Sequence, residues 1–125
     1  MEKEFYKNLK LFLKDLIFIF PEDDENLQII STTINLAIID DDENKIIKKF
    51  YTSLQALETH IYNRDIVVFS NLITNHWPET SYEYRLFFKI QENWDTFSEH
   101  NKNILWEYIN VLYILSKNVI EKNSV

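Results

Sequence analysis

The chain reads as an all-α protein, a compact bundle of five or six helices forming a single domain over residues 1–125, and three observations predict this. Apolar residues return at steps of three and four along most of the sequence, the rhythm that lines them up on one side of a helix. Glycine is absent altogether, which disfavours hairpin-rich β architectures because their tight turns lean on Asn-Gly and Asp-Gly pairs. With 46% hydrophobic, 26% charged and 15% aromatic residues, 125 residues suffice for one domain with a bulky core.

In the first segment Phe5, Leu9, Phe12, Leu13, Leu16, Ile17 and Phe20 make one helical stripe, which Pro21 ends because it cannot continue the hydrogen-bond ladder. Glu22-Asp23-Asp24-Glu25 then supplies an N-cap and the negative charge a helix start prefers. Leu27, Ile30, Ile34, Ala37 and Ile38 continue at helical spacing, although Thr32, Thr33 and the paired isoleucines weaken the propensity. After Asp40-Asp41-Asp42-Glu43, a third helix runs through Ile46, Ile47, Phe50, Tyr51, Leu54, Leu57 and Ile61, with Lys45, Lys48, Lys49 and Glu58 on its other face.

Asn63-Arg64-Asp65 is a break, with Asp65 capping a short helix through Ile66, Phe69, Leu72 and Ile73; Val67 and Val68 fit the start of a strand equally well. Trp77-Pro78 closes that segment. Residues 80–95 predict a fifth short helix with Tyr84, Phe87, Phe88 and Trp94 as core candidates. Ser98 or Thr96 caps the last helix, which carries Ile104, Leu105, Tyr108, Leu112, Leu115 and Val119, with Trp106 beside the stripe as a core candidate. The tail 121–125 is expected to fray.

Composition narrows the chemistry. Without glycine, phosphate-cradling loops, nucleophile elbows and dinucleotide fingerprints cannot be written, and without cysteine there is no disulfide, zinc-thiolate site or thiol catalysis. An intracellular setting is expected. Met1–Glu4 lack the basic start of a signal peptide, and the apolar stretch from Leu9 to Phe20 is too short and too charged to span a bilayer. A net charge of −7 argues against a surface that wraps a phosphate backbone.

His60, His76 and His100 have no i, i+4 spacing for a metal, and the acidic runs at 22–25 and 40–43 lack the alternation and the glycine of an EF-hand loop, so helix-start charge is their reading. Ser31, Ser53, Ser70, Ser81, Ser98, Ser116 and Ser124 sit in helical or capping contexts, none in a nucleophile elbow. No catalytic residue, cofactor or small-molecule ligand is therefore assigned. Trp77, in the turn His76-Trp77-Pro78, places a large aromatic where loops face solvent and marks a candidate partner contact.

Phe12-Leu13-Lys14-Asp15-Leu16 followed by Phe20-Pro21-Glu22, together with Lys102-Asn103-Ile104-Leu105-Trp106-Glu107-Tyr108-Ile109 running into Leu112, resembles small helical proteins encoded by large nucleocytoplasmic DNA viruses of algae and protists. The chain departs from the late motif of those proteins by an added Leu105 and by Glu107 in place of a basic residue. The resemblance implies a virally encoded protein acting in an infected cell and carries over no site residue. On all of this the expected role is a non-catalytic interaction or structural module that binds a protein partner or a second copy. The alternative is a nucleic-acid-associated regulator using Lys45, Lys48 and Lys49.

Overall fold

The three-and-four rhythm is realised as helix in the computed structural model, which describes residues 2–20, 25–41, 44–71 and 81–123; among them there is no strand. In order come α1 (Glu2–Ile19), α2 (Glu25–Ile39), α3 (Lys45–Leu54), a 3-10 turn (Gln55–Leu57), α4 (Glu58–Tyr62), α5 (Val67–Asn71), α6 (Tyr82–Glu92), a second 3-10 turn (Trp94–Thr96) and α7 (Glu99–Asn123). The third helix foreseen in the sequence is thus α3 and α4 joined through a tightened turn, and Val67 and Val68 open a helix rather than a strand.

The longest element, α7, runs 25 residues, about 37 Å at 1.5 Å per residue. Leu105, Trp106, Ile109, Leu112, Tyr113, Ser116 and Val119 are its buried side, with Tyr108 and Leu115 on the flank. Against this side pack α1, α3 and α4, while α2 lies over α1 and α6 as an outer layer. Ser116, fully buried, meets its need for a partner by donating to the carbonyl of Tyr113 at 2.7 Å. Where α5, α6 and α7 converge, Phe69 sits 5.2 Å from Trp94, 5.1 Å from Trp106 and 6.0 Å from Phe87, an aromatic knot that places two of the three tryptophans in the core.

Helix ends follow the capping chemistry of the sequence. Ser98 Oγ accepts from the Asn101 amide and caps α7, Ser81 Oγ accepts from Tyr84 and caps α6, and Asp65 accepts from Val67 ahead of α5. A chain without glycine must place other residues in the left-handed turns, and Asn44 (φ 55°) and Arg64 (φ 54°) take them. Arg64 closes α4 in a Schellman arrangement, its amide donating to Ile61 and that of Asp65 to His60.

Asp41 explains part of the second acidic run. Its carboxylate accepts from the Lys45 amide at 2.8 Å and the Ile46 amide at 3.0 Å, capping α3 from outside, and from the Tyr6 hydroxyl of α1 at 2.5 Å. Partial burial opposes ionisation of Asp41, but the hydrogen bonds from Tyr6, Ile46 and Lys45 outweigh it and hold the carboxyl below its ordinary value. Other polar pairs tie neighbouring helices: Tyr108 donates to Asp15 across α7 and α1, Lys117 to Glu58 at 2.7 Å across α7 and α4, and Gln91 to Ser70 at 2.7 Å across α6 and α5.

A carboxyl with a lowered folded pKa stabilises the fold above its unfolded value, here about 3.8, and loses that contribution as pH falls through the folded value. Asp41→Ala is expected to cost about 1–2 kcal/mol at neutral pH. Melts followed by circular dichroism should show this deficit shrinking in acid below the ordinary carboxyl value; a deficit unchanged through that range would rule out the charged cap.

Candidate functional site

From Asn26 to Ile39 no residue carries a charge, in a chain with 26% charged residues. The folded helix explains half of that. Leu27, Ile30, Ile34 and Ile38 turn inward onto the core. At 3.6 residues per turn, Ile29, Thr32, Leu36 and Ile39 form a second stripe centred on the opposite side of α2. These residues face outward: Ile29 is 56%, Leu36 59% and Ile39 71% exposed. A surface helix ordinarily turns charges to water, whereas the outer side of α2 from Leu27 to Ile39 turns none.

Beside it, α6 extends the surface. Tyr84 and Phe88, one turn apart, stack with ring centres 5.9 Å apart and planes 11° apart, and Arg85 lies over the Tyr82 ring at 5.5 Å. Phe88 is therefore not the core residue its spacing suggested; Leu86, Phe87 and Ile90 take the inward arc, leaving Phe88 44% exposed. Between the helices runs an open groove of about 360 Å³ lined by Ile29, Ile30, Tyr82, Tyr84 and Phe88, to which Arg85 and Lys89 contribute the charges. Lys89 also reaches over the Phe20 ring at 5.7 Å.

The residues singled out in the sequence fall elsewhere. His76, Trp77 and Pro78 lie outside the described residues. Lys45, Lys48 and Lys49 are exposed on α3, and Lys49 also lines an apolar cavity of about 60 Å³ with Leu9, Phe12, Ile34 and Phe50, well below the roughly 300–1,000 Å³ of small-molecule pockets. A longer basic feature sits on α1, where Lys3, Lys7, Lys10 and Lys14 follow one another at steps of four, three and four around a shallow groove shared with Tyr6 and Leu11. Among the described residues no three of His, Asp or Glu gather where they could hold a metal ion.

Both surfaces were readable in principle. The α1 stripe shows as lysines at helical spacing, and the outer α2 stripe as a second three-and-four series interleaved with the first.

The outer stripe should be dispensable for folding. Ile39→Lys is expected to change stability by no more than about 0.5 kcal/mol, whereas Ile34→Ala, on the inward stripe of the same helix, should cost about 2–4 kcal/mol. Urea unfolding of both variants checks this, and a large loss for Ile39→Lys would place that residue in the protein's own core. Compared with protein-family models, with curated proteins and with solved structures, the chain matches none.

Proposed function

We propose that the protein is a non-catalytic interaction module that presents α2 and the adjoining edge of α6 to a protein partner. The observation that carries this reading is the exposed, uncharged stripe Ile29, Thr32, Leu36 and Ile39 on a helix whose other side is already buried. Aliphatic and aromatic side chains contribute most to protein interfaces when a partner desolvates them, and Tyr82 and Phe88 are rigid anchors of that kind. A virally encoded origin belongs to the same proposal and rests on the resemblance at 12–22 and 102–112 alone.

Capture from the native cell with immobilised protein tests it. A partner retained by the unaltered protein should be lost on Leu36→Glu and kept on Phe18→Glu, a control at the most exposed large apolar side chain of α1. Retention by all three forms, or by none, would contradict the assignment.

A second reading, association with nucleic acid, is favoured by the four α1 lysines rather than by α3. Four phosphate contacts imply a steep salt dependence, with the logarithm of affinity falling about 3–4 per decade of salt. Binding of duplex and single strands in a salt titration should fall with that slope and weaken on Lys7→Glu with Lys10→Glu; no binding at low salt removes the reading.

A further inference from the structure

Resting on the reading of α2 and the edge of α6 as a contact surface, we infer that its occupant is an acidic amphipathic helix of a partner protein, with apolar side chains toward α2 and carboxylates toward Arg85 and Lys89.

Charge selects the acidic character. The groove between the two helices has Ile29 and Ile30 on its α2 wall, while on its α6 wall Arg85 and Lys89 stand among aromatic rings. Among the described residues no carboxylate lines it. In a chain of net charge −7, the groove is thus locally opposite in sign to the molecule as a whole. Arg85 is exposed, lies over the Tyr82 ring at 5.5 Å and forms no ion pair among the described residues. The Lys89 ammonium lies 5.7 Å from the centre of the Phe20 ring. Ring contacts hold cationic heads in place without neutralising them, so a carboxylate entering the groove meets positioned positive charge. Described acids at the edges of these helices stand off the groove. Asp40 is exposed past the C-terminal end of α2, about 16 Å along the axis from Ile29, and Glu92 is exposed in the last turn of α6 without lining the groove.

Shape and apolar character select the helix. From the groove the stripe Ile29, Thr32, Leu36 and Ile39 continues about 15 Å along α2, close to three turns of a helix laid beside it. Helix-in-groove recognition supplies apolar anchors at the matching three- and four-residue steps. Strand addition needs an open sheet edge, and the described residues contain no strand. A nucleic-acid strand fits the surface less well, because stacked bases need open ring faces. Here Tyr84 and Phe88 stack on each other at 5.9 Å and Arg85 takes a face of Tyr82, while the α2 stripe offers a strand only uncharged, mostly aliphatic side chains.

Fluorescence anisotropy with two labelled synthetic peptides of about 18 residues, long enough to form a helix, provides the test. Both carry leucines at three-and-four steps; one has glutamates and the other glutamines on the flanking positions. Net charge alone disfavours the glutamate peptide, so a preference for it reports on the groove. The full chain should bind the glutamate peptide about three- to tenfold more tightly, as two exposed ion pairs allow, and added salt should erode the difference. Arg85→Glu should abolish or invert the preference while leaving affinity for the glutamine peptide nearly unchanged, and Leu36→Glu should weaken both peptides about tenfold. Helicity and melting are checked for each variant, with Lys89→Gln as a second variant should Arg85→Glu perturb folding. Equal binding of the two peptides, both sensitive to Leu36→Glu, would overturn the acidic partner and leave the contact surface standing. Binding of neither would overturn the inference, and capture of a cellular partner sensitive to Leu36→Glu would then decide the contact surface separately. Displacement of the glutamate peptide by a single-stranded oligonucleotide, or a peptide-free dimer broken by Leu36→Glu, would also overturn it, assigning the surface to nucleic acid or to a second copy.

Discussion

Burial of one side of α7 is the constraint on which the rest of the structure depends. A 25-residue helix carrying Leu105, Trp106, Ile109, Leu112, Tyr113 and Val119 on one side must be covered along its length, and α1, α3 and α4 together cover it. Shorter elements then fill its ends. The knot of Phe69, Trp94 and Trp106 brings α5 and the turn before α7 into contact, and Phe12, against both Phe87 and Tyr108, links α1 to α6 and α7. Large aromatic rings suit such junctions because a few of them bridge helices meeting at different angles.

The position of α2 follows from that arrangement and gives the molecule its asymmetry. Packed on α1 and α6 rather than on the central helix, it forms an outer layer and needs only one apolar stripe. It carries two. The inward stripe accounts for Leu27, Ile30, Ile34 and Ile38, but nothing within the described fold draws on Ile29, Leu36 and Ile39, whose exposure leaves apolar area in water. The neighbouring helix α1 shows the contrasting solution, turning four lysines outward opposite Phe5, Leu9, Phe12 and Leu16. The two neighbouring helices thus differ in what they turn outward, lysines on α1 and uncharged side chains on α2.

Much of the fold was legible in the sequence because amphipathic spacing reports directly on which side of a helix is buried. The stripes of α1 and α7, the break at Asn63–Asp65 and the caps at Asp65 and Ser98 follow from local chemistry that tertiary packing did not override. The tightened turn at Gln55–Leu57 was not legible, since no residue there is a poor helix former. Phe88 shows a different limit: a ring on an amphipathic helix can lie on the flank as well as in the core, and only the rotation of α6 about Leu86, Phe87 and Ile90 decides it. The candidate surface was missed because only the stripe Leu27, Ile30, Ile34, Ala37 and Ile38 was followed on α2, leaving Ile29, Leu36 and Ile39 unassigned. The basic residues were weighed on α3, on the face opposite its apolar stripe, rather than on α1, where four of them follow one another at helical steps.

The central claim, that the fold depends on covering α7 while the outer stripe of α2 is spare to it, is tested most directly by hydrogen exchange of the backbone amides in the unaltered chain and in Leu36→Glu, at a position 59% exposed. Protection of α7 should be the same in both proteins. Loss of protection along α7 in the variant would contradict the account.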